Sequence, residues 1–118
     1  MPVYIVDDNL DLGEIMAFVL SDAGYPVHVF ACPVVALDHM QSNAIYPSML
    51  ITDYNMPKMN GYELHMAVHI HAPDVKTIIM SGRFVQENIG DLPFMQKPFS
   101  PGHLLTTVEA VKGSSAPI

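Results

Sequence analysis

The sequence predicts an α/β fold, a doubly wound five-stranded parallel sheet with strand order 2-1-3-4-5, and three observations carry that prediction. Short β-favouring runs alternate with segments of helical period from one end of the chain to the other, the pattern of a parallel sheet covered by helices on both faces. Right-handed crossovers leave few topologies for such an alternation. The runs at 3–6, 49–52 and 77–80 are the most continuously apolar. The first, third and fourth strands therefore belong inside the sheet, and the more polar second run, 27–30, at an edge.

Taken in order, Val3-Tyr4-Ile5-Val6 ends in two acids, Asp7 and Asp8. Asn9 or Asp11 can cap the helix that follows, and Asp11 with Glu14 has the spacing of a capping box. Leu12, Ile15, Met16, Val19 and Leu20 are expected to share its inward face, and Gly24 to close it in a left-handed conformation. After the second strand, Pro33 opens a helix with Val34, Leu37 and Met40 inward. The third strand delivers Asp53. Pro57 then suits the first turn of a helix expected to run to about His71, with Leu64 and Val68 inward and Pro73 blocking its continuation. Gly61 reads as a close approach to the sheet. The fourth strand ends at Ser81-Gly82. Residues 83–92 leave room for one short helix at most. Phe94-Met95-Gln96 forms a short fifth strand before Lys97-Pro98, and Ser100-Pro101 cap a last helix with Leu104, Leu105, Val108 and Val111 inward. Residues 1–112 are expected to form the domain, and 113–118 a flexible tail or the start of a linker.

Composition narrows the function. A chain of 118 residues that is 50% hydrophobic and 14% charged has the makings of one globular core. Twelve acids against five Lys and Arg give a formal net charge of −7, which argues against direct contact with nucleic acid or anionic membrane. The apolar runs are far shorter than a membrane span, and the N-terminus lacks the basic flank of a signal peptide. A single cysteine, Cys32, rules out an internal disulfide and fits a reducing compartment, so the expected location is the cytoplasm. Cys32 itself reads as a small inert residue, although its place at a helix start can lower a thiol's pKa.

The strand ends hold the chemistry. In an open α/β sheet they share the edge where such folds put ligands, and here they bring Asp7, Asp8, Asp53, Ser81 and Lys97 together. Three converging carboxylates repel one another unless a cation lies among them. Hard oxygen ligands with room for water suit Mg²⁺. A lysine and a hydroxyl opposite suit phosphoryl oxygens, and a carboxylate can itself be the nucleophile that becomes an aspartyl phosphate.

This set closely resembles the receiver domain of bacterial response regulators: Asp7-Asp8, Asp53 in a D-x-x-M-P-x-x-x-G run ending at Gly61, Ser81-Gly82, and Lys97-Pro98-Phe99. The resemblance covers essentially the whole chain and implies a flavodoxin-like receiver fold in a two-component phosphorelay. It implies that Asp53 accepts a phosphoryl group from the phosphohistidine of a histidine kinase or histidine phosphotransfer protein. Asp8, Asp53 and the main-chain carbonyl of Asn55 would hold Mg²⁺, with Asp7 acting largely through water. Lys97 would pair with the carboxylate and then with the phosphoryl oxygens. Ser81, with Gly82 beside it, would turn to the phosphoryl group, and Phe94 would move into the space released. Pro98 would follow a cis peptide bond, and Asn55 and Arg83 would be positions that tune the lifetime of the phosphoryl group. The readout surface would be the fourth helix, fifth strand and last helix.

The chain also departs from the pattern. Ser81 and Lys97 are only 97 − 81 = 16 positions apart, so helix 4 must be shortened, irregular or absent, and Phe94 lacks the hydroxyl of the commoner tyrosine. The stretch around Phe94-Met95-Gln96-Lys97-Pro98-Phe99 looks most like receivers associated with hybrid histidine kinases. The output expected is therefore a downstream partner protein and not DNA bound by this domain. Two alternatives compete: a degenerate receiver that binds proteins without phosphorylation, and a Mg²⁺-dependent phosphatase working through an aspartyl phosphate. Asn55 stands where such a phosphatase wants a second acid. His65 and His69, four apart, invite a transition-metal reading, but the expectation is a partly exposed polar face.

Overall fold

The computed structural model describes residues 2–113 of the 118-residue chain. Its elements are β1 (Val3–Val6), α1 (Leu10–Asp22), β2 (Val27–Phe30), α2 (Pro33–Asn43), β3 (Met49–Asp53), α3 (Gly61–His71), β4 (Lys76–Ser81), a 3₁₀ turn (Gln86–Asn88), β5 (Phe94–Gln96) and α4 (Pro101–Lys112). The strands form one parallel sheet in the order β2-β1-β3-β4-β5, with Val6 beside both Phe30 and Thr52, and Asp53 beside Met80. Among the described residues, no helix is long and apolar enough to cross a membrane. Residues 114–118 of the expected tail lie outside the described residues.

Strand alternation divides the core into two layers. Val3, Ile5, Met49, Ile51, Ile78, Met80 and Met95 pack on Met16 and Leu20 of α1 and on Leu104 and Val108 of α4. On the other face, Tyr4, Val6 and Leu50 pack on Ala36, Met40, Leu64 and Val68 of α2 and α3. A helix is absent between β4 and β5, and a smaller cluster replaces it: Ile79, Val85 and Ile89, backed by Tyr54, Tyr62, Leu92 and Phe94. The short spacing from Ser81 to Lys97 thus becomes one 3₁₀ turn that still covers this part of the sheet.

Helix starts and faces differ from the sequence reading in four places. At α1 the cap is Asn9, whose side chain accepts from the Leu12 N–H at 3.2 Å; Asp11 lies inside the first turn. Its inward stripe runs through Gly13, Met16 and Leu20, leaving Ile15 59% and Phe18 73% exposed. Gly13 lies on that stripe, and a Cβ there would stand 2.8 Å from Val29 Cγ1, so a larger residue would have to displace the valine for the helix to lie this close to β2. In α2 the inward residues are Pro33, Ala36 and Met40, which turns Val34 to solvent. The third helix begins at Gly61 and not at Pro57. Asn60 caps it, its side chain accepting from Glu63 N–H at 2.8 Å while Glu63 Oε1 accepts from Asn60 N–H at 2.9 Å. Lys58, at φ 74°, breaks any helix that would start before it.

The fourth difference is His65, which is buried with 7% exposure instead of standing on a polar face. Its Nδ1 lies 2.8 Å from Thr77 Oγ1 on β4, and the His69 ring packs against it, tilted by 38°, at 4.5 Å. His69 Nε2 approaches the Val75 carbonyl at 3.3 Å. Each ring therefore has one nitrogen engaged between α3 and the stretch 75–77, an arrangement that packs α3 against the sheet. Burial, and secondarily the neighbouring His69, lowers the pKa of His65 to about 4. The folded state keeps this ring neutral while the unfolded chain takes up a proton below its ordinary value of 6.5. Stability is therefore lost as pH falls from about 6.5 to about 4, by on the order of 3 kcal/mol from this group. Urea unfolding at pH 7 and pH 4.5 is expected to show a smaller loss for His65→Gln than for the wild type. Equal losses would contradict a buried neutral ring.

Candidate functional site

Four parallel strands end at one edge of the sheet, and each is followed there by a polar side chain. β1 runs into Asp7, whose backbone N–H continues the ladder to the Phe30 carbonyl at 3.0 Å, and then Asp8. β3 ends at Asp53 and β4 at Ser81, and the Lys97 N–H, just past β5, donates to the Ser81 carbonyl at 2.9 Å. Carboxylate oxygens of Asp7, Asp8 and Asp53 all fall within 4.8 Å of one another, the one such acidic or metal-ligating cluster among the described residues.

Lys97 reaches across this cluster. Its Nζ lies 2.8 Å from Asp7 Oδ2 and 3.4 Å from Asp53 Oδ1. Asp7 is fully buried, and its Oδ1 accepts the Asn9 N–H at 2.8 Å, so both its oxygens are engaged. Asp53 is 8% exposed, and Asp8 faces solvent. Burial raises the Asp53 carboxyl above its ordinary value; Lys97 opposes that shift, and Asp7 and Asp8 add to it. Three carboxylates against one ammonium leave an excess of negative charge in a partly desolvated pocket. Hard anionic oxygens at this spacing, with one side open to water, fit a small divalent cation such as Mg²⁺.

The surrounding backbone is tightly set. A Cβ on Gly61 would stand 2.4 Å from the Asp53 carbonyl oxygen, so the expected close approach is here, and the Gly61 N–H donates to the Tyr54 carbonyl at 2.9 Å. The loop between them carries Asn55, exposed at the rim. Ser81 is buried, and its Oγ accepts the Arg83 N–H at 3.1 Å; Gly82 and Arg83 are exposed. Phe94 is half-buried, its ring 6.5 Å from that of the exposed Phe84. The Lys97–Pro98 bond is cis. Cys32 lies apart from this cluster at the N-cap of α2, where the backbone N–H groups of Val35 and Val34 lower its thiol pKa.

Two clefts of about 470 and 400 Å³ open away from the acids, lined by residues such as Met49, Val75 and Lys112, and Val3, Tyr25 and Glu109, which lie toward the opposite, amino edge of the sheet. The cluster is a shallow mouth, accessible to a group presented by another molecule. Two of its features escaped the sequence reading. The Asn60–Glu63 capping box was legible as an N-x-x-E spacing, but the buried hydroxyl of Thr52 carried no signal.

The charge imbalance has a direct consequence for stability. Replacing Asp53 with a neutral residue of the same shape relieves both repulsion and desolvation while leaving Asp7 to hold Lys97. At neutral pH without divalent cations, Asp53→Asn is expected to be more stable than the wild type. Thermal unfolding in the presence of a chelator checks this, and a lower melting temperature for the variant would contradict it.

The family described as response regulator receiver domain matches residues 3–109. The transcriptional regulatory protein FixJ of Azorhizobium caulinodans is 26% identical over 98% of this chain and 57% of its own length. The sensor kinase CckA of Brucella abortus is 33% identical over 87% of this chain but only 11% of its own length. The chain thus spans little more than half of the one relative and about a tenth of the other. Among solved structures, the chemotaxis protein CheY4 of Vibrio cholerae superposes with a TM-score of 0.82 at 28% identity, covering 93% of this chain and 97% of that one. The receiver domain of the hybrid histidine kinase CckA superposes with a TM-score of 0.80 at 24% identity, covering 93% of this chain and 97% of that one. With its whole sheet, its crossover helices and every strand-end residue inside the matched span, the chain belongs to the response regulator receiver domain family.

Proposed function

We propose that this domain is the phosphoacceptor of a two-component phosphorelay, with Asp53 taking a phosphoryl group from a phosphohistidine and the change of state read by a partner protein. The observation that carries the reading is the meeting of Asp7, Asp8 and Asp53 with the Lys97 ammonium at a shallow, solvent-facing mouth.

In this reading an Asp53 carboxylate oxygen attacks phosphorus, the P–O bond forms as the P–N bond breaks, and the imidazole nitrogen keeps the electron pair. Asp8, Asp53 and the main-chain carbonyl of Asn55 would hold Mg²⁺, with Asp7 acting through water. The cation would supply positive charge against the negative charge of the transferring group. Lys97, already 3.4 Å from Asp53, exchanges one carboxylate partner for a phosphoryl oxygen. Ser81 gives up its local turn with Arg83 to donate to the phosphoryl group beside Gly82, and Phe94 fills the volume its movement opens. Asn55 and Arg83 flank the product and set access for hydrolytic water.

One further feature supports a switch over an enzyme with a diffusible substrate: the residue two beyond Asp53 is Asn55, which cannot act as a general acid. The outward face of α1, whose N-terminus follows Asp8, exposes Leu10 (49%), Ile15 and Phe18. An apolar helix face that starts next to the acids suits a histidine carried on a protein helix.

Intact mass after incubation with Mg²⁺ and a small acyl phosphate tests the proposal. The wild type is expected to gain one phosphoryl group and Asp53→Asn none. A gain that persists in the variant would place the acceptor elsewhere. No gain from either an acyl phosphate or a panel of phosphorylated kinases would refute the reading.

A further inference from the structure

We infer that Thr52, the residue before the acceptor, is a positioning residue that fixes the backbone turn carrying the Asn55 carbonyl. This rests on the proposal that Asp8, Asp53 and that carbonyl hold the divalent cation. Thr52 is completely buried, next to Val6 on β1 and Ile79 on β4. It lies on the same sheet face as Leu50, in the layer formed with Tyr4, Val6, Leu64 and Val68. A hydroxyl in such a layer is costly unless paired, and valine would suit the strand at least as well.

The hydroxyl has two partners, and both belong to the turn. It donates to the Asp53 carbonyl at 2.9 Å and lies 3.9 Å from Met56 Sδ. Three further contacts fix the intervening backbone. The Tyr54 N–H donates to the Met80 carbonyl at 2.8 Å, the Gly61 N–H to the Tyr54 carbonyl at 2.9 Å, and Gly61 packs on the Asp53 carbonyl itself. The Asp53–Tyr54 peptide is therefore held at its carbonyl by Thr52 and at its N–H by β4. Asn55 is the next peptide unit but one, between the two groups that the Thr52 hydroxyl touches. Without that hydroxyl, the Asp53 carbonyl loses its donor while the packing against Met56 remains, and the Asn55 carbonyl loses its fixed direction. Groups behind metal ligands act in this way, by orienting the ligand without touching the ion.

The test is Mg²⁺ affinity, measured on the full chain by isothermal titration with MgCl₂, alongside thermal unfolding without metal. Thr52→Val keeps the shape and removes the donor; Thr52→Ser keeps the donor. The inference predicts that Thr52→Val binds Mg²⁺ about three- to tenfold more weakly with its melting temperature unchanged or raised, and that Thr52→Ser stays within about twofold of the wild type. Should Thr52→Val not fold, Thr52→Ala is read by the same criterion. Wild-type affinity in Thr52→Val overturns the inference and leaves the proposed function standing, as does an equal loss in Val and Ser variants. A wild type that does not bind Mg²⁺ overturns the cation assignment and this inference with it.

Discussion

The Lys97 ammonium, 2.8 Å from Asp7 and 3.4 Å from Asp53, is what allows three carboxylates to share one sheet edge. Like charges this close, partly removed from water, are costly when each ionises, and one ammonium offsets only part of that. The remaining imbalance leaves an excess of negative charge, and the three carboxylates are placed where they could hold a cation. Much of the nearby architecture bears on keeping Lys97 and Asp53 in reach of one another. The parallel register sets their strands side by side with β4 between them. The Lys97 N–H on the Ser81 carbonyl ties β5 to β4 just where the ammonium departs.

The same edge shows how a small fold concentrates function. Parallel strands carry their C-terminal residues to one side, while the turns that follow are short and strongly constrained. Gly61 touches the Asp53 carbonyl, the Asn60–Glu63 box fixes the start of α3, and Thr52 links Asp53 to Met56. Further along α3, His65 and His69 hold the helix to Thr77 of β4 and to Val75 just before it. The turn after Asp53 is thus bounded by a helix held at its start and along its length. Between β4 and β5 the reverse holds: a single 3₁₀ turn and a three-residue strand form that part of the fold. Movement of Ser81 and Phe94 would meet its least resistance there.

The sheet was legible from the sequence because fully buried parallel strands are short, apolar and bounded, and these runs are among the clearest in the chain. Strand order followed from the same contrast, with Val27–Phe30 alternating and the central strands continuously apolar. The acids and lysine were legible because strand ends fix their position without any knowledge of packing. Helix faces were harder. A helix with more apolar residues than its inward stripe can take leaves the choice to packing partners. Gly13 against Val29 rotates α1 so that Ile15 and Phe18 face outward. Pro57 is compatible with a first helical turn, and what delays α3 to Gly61 is the left-handed Lys58 and the better cap at Asn60. His65 is buried because Thr77 meets it on a neighbouring strand, a pairing between residues 12 apart that periodicity does not report.

The central claim is electrostatic: Asp53 is a carboxyl strained by burial and by its acidic neighbours, and Lys97 restrains that strain. Carbon-13 NMR titration of the aspartate carboxyl groups, in metal-free wild type and in Lys97→Met, measures it at the atom concerned. The account predicts that Asp53 titrates above the ordinary aspartate value in the wild type and higher still once the ammonium is removed. An Asp53 that titrates at the ordinary value, or that is unmoved by loss of Lys97, would contradict it.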